Sequence, residues 1–152
     1  MSFLSAASET ALRLLIYVHA SYEGKTKLNV QEIALATDTP TAYAAKVLQI
    51  LTRKGLMSST RGPHGGFYLE EEQAKRLTAY DVIVAMDGAS MFGTCLLGLK
   101  DCSASRPCPM HDDFTQIRRR FETALRQTTI HMLAARYATG TCFVTLLATE
   151  PK

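Results

Sequence analysis

Apolar residues recur with helical spacing along most of this chain, and residues that start or stop helices bound each run. From residue 8 to about residue 21, Ala11, Leu12, Leu15, Ile16, Val18 and His19 form one broad apolar face, with Ser8 placed to cap it. Glu23-Gly24-Lys25 interrupts the pattern. A second helix is predicted from Asn29, whose side chain caps while Glu32 reaches back, and Ile33, Ala34 and Ala36 carry it to Thr37-Asp38. A third opens at Thr39 with Pro40 in its first position, where a missing N–H costs nothing. It turns Val47, Leu48 and Leu51 inward and stops at Gly55. Residues 56–60 and 67–69 are strand-like and flank Arg61-Gly62-Pro63-His64-Gly65-Gly66, the tip of a hairpin.

Residues 70–76 read as a charged surface segment. Thr78 then caps a helix with Asp81 at its third position and Val82, Ile83 and Met86 buried. Gly88 to Met91 leads into a loop rich in cysteine. From 112 to 136 runs the longest helical pattern: Phe114, Ile117, Phe121, Ala124 and Leu125 mark an apolar stripe, with Arg118, Arg119, Arg120 and Arg126 on the wet side. A break at Thr128-Thr129 would leave 130–136 as a short helix capped by threonine.

The architecture expected is mainly α with a small β-hairpin wing: a winged helix-turn-helix over 1–76, a linking helix and cysteine loop over 77–110, a dimerisation helix over 111–136, and a tail over 137–152. At 152 residues the chain holds one domain, or one small domain plus an oligomerisation arm, and 47% hydrophobic residues excludes disorder. No apolar run reaches bilayer-spanning length and no basic leader opens the chain, so no membrane partner is expected, and the cytoplasm is the expected compartment.

Net charge is only +3, but residues 1–68 carry seven Lys or Arg against four acids, which suits a polyanion. The outward face of the third helix offers Thr41, Tyr43, Ala45, Lys46 and Gln49. Small residues let a helix sink into the major groove, Gln49 can read a base edge and Lys46 can hold a phosphate. An ordinary helical hairpin with a solvated polar face is the bland alternative. The hairpin that follows makes a wing, with Arg61 at its base against phosphate or minor groove and Gly62, His64 and Gly65 beside the DNA. The imidazoles of His19, His64 and His131 receive no role of their own.

Three of the four cysteines, Cys95, Cys102 and Cys108, fall within seventeen residues, with His111 three places on. The spacers of six, five and two residues carry Gly98, Pro107 and Pro109, so the segment is loop and can turn its side chains toward one point. Crowded thiolates repel, and a soft metal or an iron–sulfur cluster is the usual counter-charge. Zinc and free thiols are the alternatives. Cys142, in the apolar stretch 141–148, reads as a small buried hydrophobe. No nucleophile and base stand at catalytic spacing, so the chain is not expected to be an enzyme. An electron carrier would have no need of a wing.

With these residues in hand, the chain resembles the winged-helix regulators of the IscR and NsrR type, the Rrf-type family. The likeness rests on Glu9-Thr10-Ala11-Leu12-Arg13, Ala44-Ala45-Lys46 with Leu51, and Lys54-Gly55-Leu56 running into Arg61-Gly62-Pro63-His64-Gly65-Gly66. Asp81-Val82-Ile83 and the three loop cysteines extend it, so that it covers residues 2–136. The resemblance implies a homodimeric DNA-binding regulator, usually a repressor, and a two-iron or four-iron iron–sulfur cluster that reports nitric oxide, redox or iron–sulfur status. It also implies two candidates for the fourth cluster ligand: His111, as in IscR-like proteins, or Glu9 of the partner subunit, as in NsrR-like proteins. His111 is favoured for its nearness along the chain. The first spacer is one residue longer than cluster-binding relatives usually carry. The operator expected is double-stranded DNA with half-sites about one helical turn apart.

Overall fold

The structure is a computed structural model that describes residues 3–22 and 26–145; the expected interruption at Glu23-Gly24-Lys25 lies outside them, as does the tail beyond 145. Helix α1 (Ala6–Ala20) begins a turn earlier than the apolar pattern suggests, because Ala6 and Ala7 are strong helix formers. The cap is therefore Ser5, not Ser8: Ser5 Oγ accepts from the Ser8 N–H at 3.1 Å. Ser8 is buried and donates instead to Asp87 at 2.6 Å. The buried face also includes Leu14, absent from the expected set, while Leu12 and Ile16 stay partly exposed.

Helix α2 (Val30–Ala36) opens on the expected capping box: Asn29 accepts from the Glu32 N–H at 2.9 Å, and Glu32 accepts from the Asn29 N–H at 2.8 Å. The turn after it is held from inside. Thr37 donates to the Ile33 carbonyl at 2.8 Å, and Arg13 donates to the Thr37 carbonyl at 3.0 Å. Arg13 thus spends its charge on the helix-turn-helix turn rather than on a surface. Helix α3 (Thr41–Arg53) starts later than expected: Pro40 occupies the capping position with ψ 128°, and Thr39 is buried in the turn. Its end is as expected. Gly55 (φ +72°) and Leu56 donate to the carbonyls of Thr52 and Leu51 at 3.0 and 2.9 Å, a Schellman motif.

The wing is an antiparallel pair, β1 (Ser58–Thr60) and β2 (Gly66–Tyr68), in register Ser58 to Tyr68. A third short strand segment at Leu28, unforeseen in the sequence, pairs with Phe67. Glycine is required at position 66: φ is +146°, and a Cβ there would lie 2.6 Å from the Leu28 carbonyl oxygen. The segment expected to be a charged surface stretch is a short helix, α4 (Glu71–Arg76), pinned by the fully buried Ala74.

Helix α5 (Ala79–Asp87) carries the second expected capping box, between Thr78 and Asp81. A single 3-10 turn (Ser90–Phe92) and the cysteine loop follow, then α6 (His111–Gln127). The chain breaks at Thr128-Thr129, as its threonines suggested, and α7 (Ile130–Ala138) is capped by Thr129. Two backbone bonds stitch the starts of α5 and α7 side by side, Ala79 N–H to Thr128 O at 2.9 Å and Ile130 N–H to Leu77 O at 2.8 Å. Helix α1 is the hub. Helices α3, α5 and α7 all pack on it, around a core of Leu14, Leu15, Val18, Leu48, Leu51, Val82 and Ile130.

Helix α6 stands apart. None of its residues is buried, and Ile117 in its apolar stripe is 59% exposed. An aromatic cluster fastens its base: Phe121 meets Phe3 and Phe92, and Phe92 meets Tyr80. Two of its arginines, expected on the wet side, are engaged. Arg126 stacks 3.5 Å over the Tyr80 ring and pairs with Glu122, and Arg118 donates to the Thr94 carbonyl at 2.9 Å, at the root of the cysteine loop. Arg119 and Arg120 are exposed, as expected.

Candidate metal centre and nucleic-acid interface

The cysteine loop closes on itself. A turn from Cys95 to Gly98, a bridge between Ser103 and Arg106, and a turn from Cys108 into His111 fold residues 95–111 so that the sulfurs face inward. The Sγ atoms of Cys95, Cys102 and Cys108 all lie within 4.8 Å of one another, with Cys95 and Cys108 at 3.6 Å. Among the described residues they are the only three metal-binding side chains that converge in this way. His111, the first residue of α6, brings Nδ1 to 3.2 Å of Cys102 Sγ, beside the converging thiols. All four side chains are half-buried. Glu9 stands in the first turn of α1 and, within this chain, does not join the thiols.

The loop treats its thiols unequally. Backbone N–H groups, first Leu99 and then Leu97, point at Cys95 and outweigh its burial, lowering its thiol to about 7. Burial and the neighbouring sulfurs push Cys108 up. One thiolate is therefore ready at neutral pH, and its proximity makes a second one costly until a positive centre arrives. Two thiolates on one tetrahedral metal atom stand roughly 3.8 Å apart for metal–sulfur bonds of about 2.3 Å, close to the spacing of Cys95 and Cys108. The donor set thus fits a thiophilic metal or an iron–sulfur centre. Cys142, expected to be buried, is exposed and lies outside the set.

The residues expected to face DNA divide into two groups. Thr41, Lys46 and Gln49 are exposed on α3, and Arg61, Gly62 and His64 are exposed on the wing; Ala45 and Gly65 are partly covered. Gln49 looks toward the wing across a concave surface that it lines with Thr52, Arg53, Ser59 and Phe67. Lys46 lies on the other flank, beside Arg53 and Lys54 on the rim of a cleft floored by Ala7, Ala85 and Met86. Tyr43, expected on the outward face, is half-buried in this cleft and packs against the core, since it stands one turn before the buried Val47. Arg53, counted in the sequence only for its charge, follows Gln49 at i+4, the spacing that puts both on one face.

A reading helix, a glycine-built wing and an arm that carries three converging thiols define the class: a winged-helix DNA-binding protein with a candidate metal centre. Residues 4–136 match Rrf2, described as iron-dependent transcriptional regulator, and the chain belongs to that family. A protein of Aquifex aeolicus, named as an HTH-type transcriptional regulator, is 33% identical over 122 residues, covering 79% of this chain and 83% of that one. The transcriptional repressor NsrR of Streptomyces coelicolor is 25% identical over 107 residues, 70% of this chain and 67% of its own. Among solved structures, CymR, the global cysteine regulator of B. subtilis, superposes with a TM-score of 0.73 at 24% identity, covering 90% of this chain and 98% of that one. The chain is thus a DNA-binding transcriptional regulator and not an enzyme, as its sequence indicated. Among the described residues no helix is long and apolar enough to cross a membrane.

Proposed function

We propose that this regulator works as a homodimer, as a repressor in the manner usual for its family, whose hold on DNA is set by an iron–sulfur cluster on Cys95, Cys102 and Cys108. The fourth ligand is His111, which already touches Cys102; Glu9 of the partner subunit is the alternative. The observation that carries the reading is the convergence of three sulfurs within 4.8 Å in a loop that the rest of the fold does not need for its core. Bound there, the cluster supplies a centre that reacts with nitric oxide or oxidants and so reports redox or iron–sulfur status. Cys95, Cys102 and Cys108 would hold either a two-iron or a four-iron centre, since both take thiolates together with one further ligand.

The dimer follows from α6. Seventeen residues span about 25 Å, and an apolar stripe of that length with no buried residue calls for a second copy of itself. The protein's own residues transmit the signal. Arg118 joins α6 to Thr94 at the loop's entry, and His111 joins the loop's exit to the first turn of α6. Loop and dimer arm therefore shift together, which changes the spacing of the two reading heads. Anaerobic purification with iron and sulfide counts, followed by affinity measurements on a duplex selected from a random pool, tests the reading. Expected are stoichiometric iron and sulfide and different affinities with and without them; equal affinities overturn it.

A second reading has its own observation. The 3.6 Å contact of Cys95 and Cys108, with Cys95 the more acidic, suits a thiol switch in metal-free protein. Peroxide would oxidise the two thiols to a disulfide, and two waters would leave. A colourless, iron-free protein whose DNA affinity responds to peroxide would select this reading.

A further inference from the structure

Outside the cysteine loop, two metal-binding side chains 112 positions apart meet. His19, near the end of α1, and His131, in the first turn of α7, bring Nε2 and Nδ1 to 3.0 Å. His19 Nδ1 stands 3.0 Å from the Leu69 carbonyl oxygen, which only accepts, so Nδ1 carries the hydrogen and Nε2 presents a lone pair. This is the arrangement of a metal-ligating imidazole, whose other nitrogen donates to an oxygen that fixes ring and tautomer.

His131 Nδ1 supplies the hydrogen between the rings. In its other neutral tautomer the proton sits on Nε2, and Nδ1 turns a lone pair to the same point. Both imidazoles can then act as ligands without any proton leaving the pair. Two nitrogens on one tetrahedral zinc stand roughly 3.3 Å apart for bonds of about 2.0–2.1 Å. From 3.0 Å the rings need to part by a few tenths of an ångström and to tilt, so that lone pairs lying along the N–N line meet at a point beside it.

The surroundings favour a cation. Both rings open on a cleft of about 290 Å³, with Ala134 and Tyr22 on its walls and Glu71 at its edge. Burial, and then the charge of Glu70, raise the Tyr22 phenol, which stays neutral. Lys75 holds the Glu71 carboxyl below the usual range. We propose that His19 and His131 bind a divalent transition ion of the zinc class, with Glu71 turning from Lys75 to become the third ligand and water the fourth. Such a centre would clamp α1 of the reading head to α7, which follows the dimer arm, and it is independent of the cysteine loop.

The test uses the full chain with all four cysteines replaced by serine, titrated anaerobically with cobalt(II) and then zinc(II). Expected is one cobalt per chain, with a visible ligand-field spectrum free of sulfur charge-transfer bands, displaced by zinc. His131→Gln in the same background should abolish it, and Glu71→Gln should weaken it while nitrogen ligation remains. No stoichiometric uptake by a folded serine chain, or uptake unchanged by His131→Gln, overturns the proposal. The native chain gives a second readout should the serine chain not fold. After dialysis against zinc, its metal content should fall by one equivalent on His131→Gln, and equal contents overturn the proposal.

Discussion

Arg61 offers the cleanest perturbation of the DNA face. It is exposed at the tip of the wing, just past the last strand pair, and, among the described residues, takes part in no ion pair, so Arg61→Ala removes a charge without disturbing the fold. In a homodimer the substitution is made twice. If each guanidinium neutralises one phosphate, the slope of log affinity against log salt becomes shallower by about 0.9 per contact, or about 1.8 per dimer. Between 50 and 200 mM salt, a fourfold range, the wild-type advantage should then shrink by about 4 to the power 1.8, roughly twelvefold. Fluorescence anisotropy with a duplex selected from a random pool, repeated across that range, measures both slopes. A slope change near 0.9 would mean that only one wing engages. An unchanged slope would refute the placement of the wing on DNA, whatever happened to affinity at a single salt concentration.

Two further outcomes follow from the interior and from the loop. Ile130 is fully buried where α7 meets the body, so Ile130→Ala should cost about 2–5 kcal/mol in denaturant unfolding; a loss below about 1 kcal/mol would mean that α7 is not part of the core. In metal-free, reduced protein, the thiolate of Cys95 should persist as pH falls to about 7 and be lost below it, because its thiol is lowered. Cys108, raised by burial, should need more alkaline conditions than an ordinary thiol. Peptide mapping after brief iodoacetamide treatment at a series of pH values separates the two, and coincident profiles would disprove the asymmetry.

What the chain discloses in advance is what local chemistry decides. Both capping boxes, Asn29 with Glu32 and Thr78 with Asp81, each span only four residues and stand where expected. So does Gly55, the only residue type that takes its φ without strain. The cysteine cluster was legible for the same reason, since its members share one short loop. Errors arose where distant parts decide. Ser8 looked like a cap until Asp87, 79 positions away, claimed its hydroxyl. Tyr43 looked outward on a helical wheel, but α5 lies across that flank. The six residues of α4 show no periodicity, because only Ala74 is buried. The pairing of His19 with His131 has no sequence signal at all, since packing of α7 on α1 creates it.

The two backbone bonds that join the starts of α5 and α7 have a wider meaning for how such a molecule is put together. After α5, which packs on α1, the chain from Gly88 to Thr128 leaves the body and comes home beside the start of α5. A detour with fastened ends tolerates changes in its length, because closure entropy grows only with the logarithm of the number of residues. The six-residue spacer between Cys95 and Cys102 lies within that detour. A longer or shorter cysteine loop is therefore expected to leave the core around α1 unchanged.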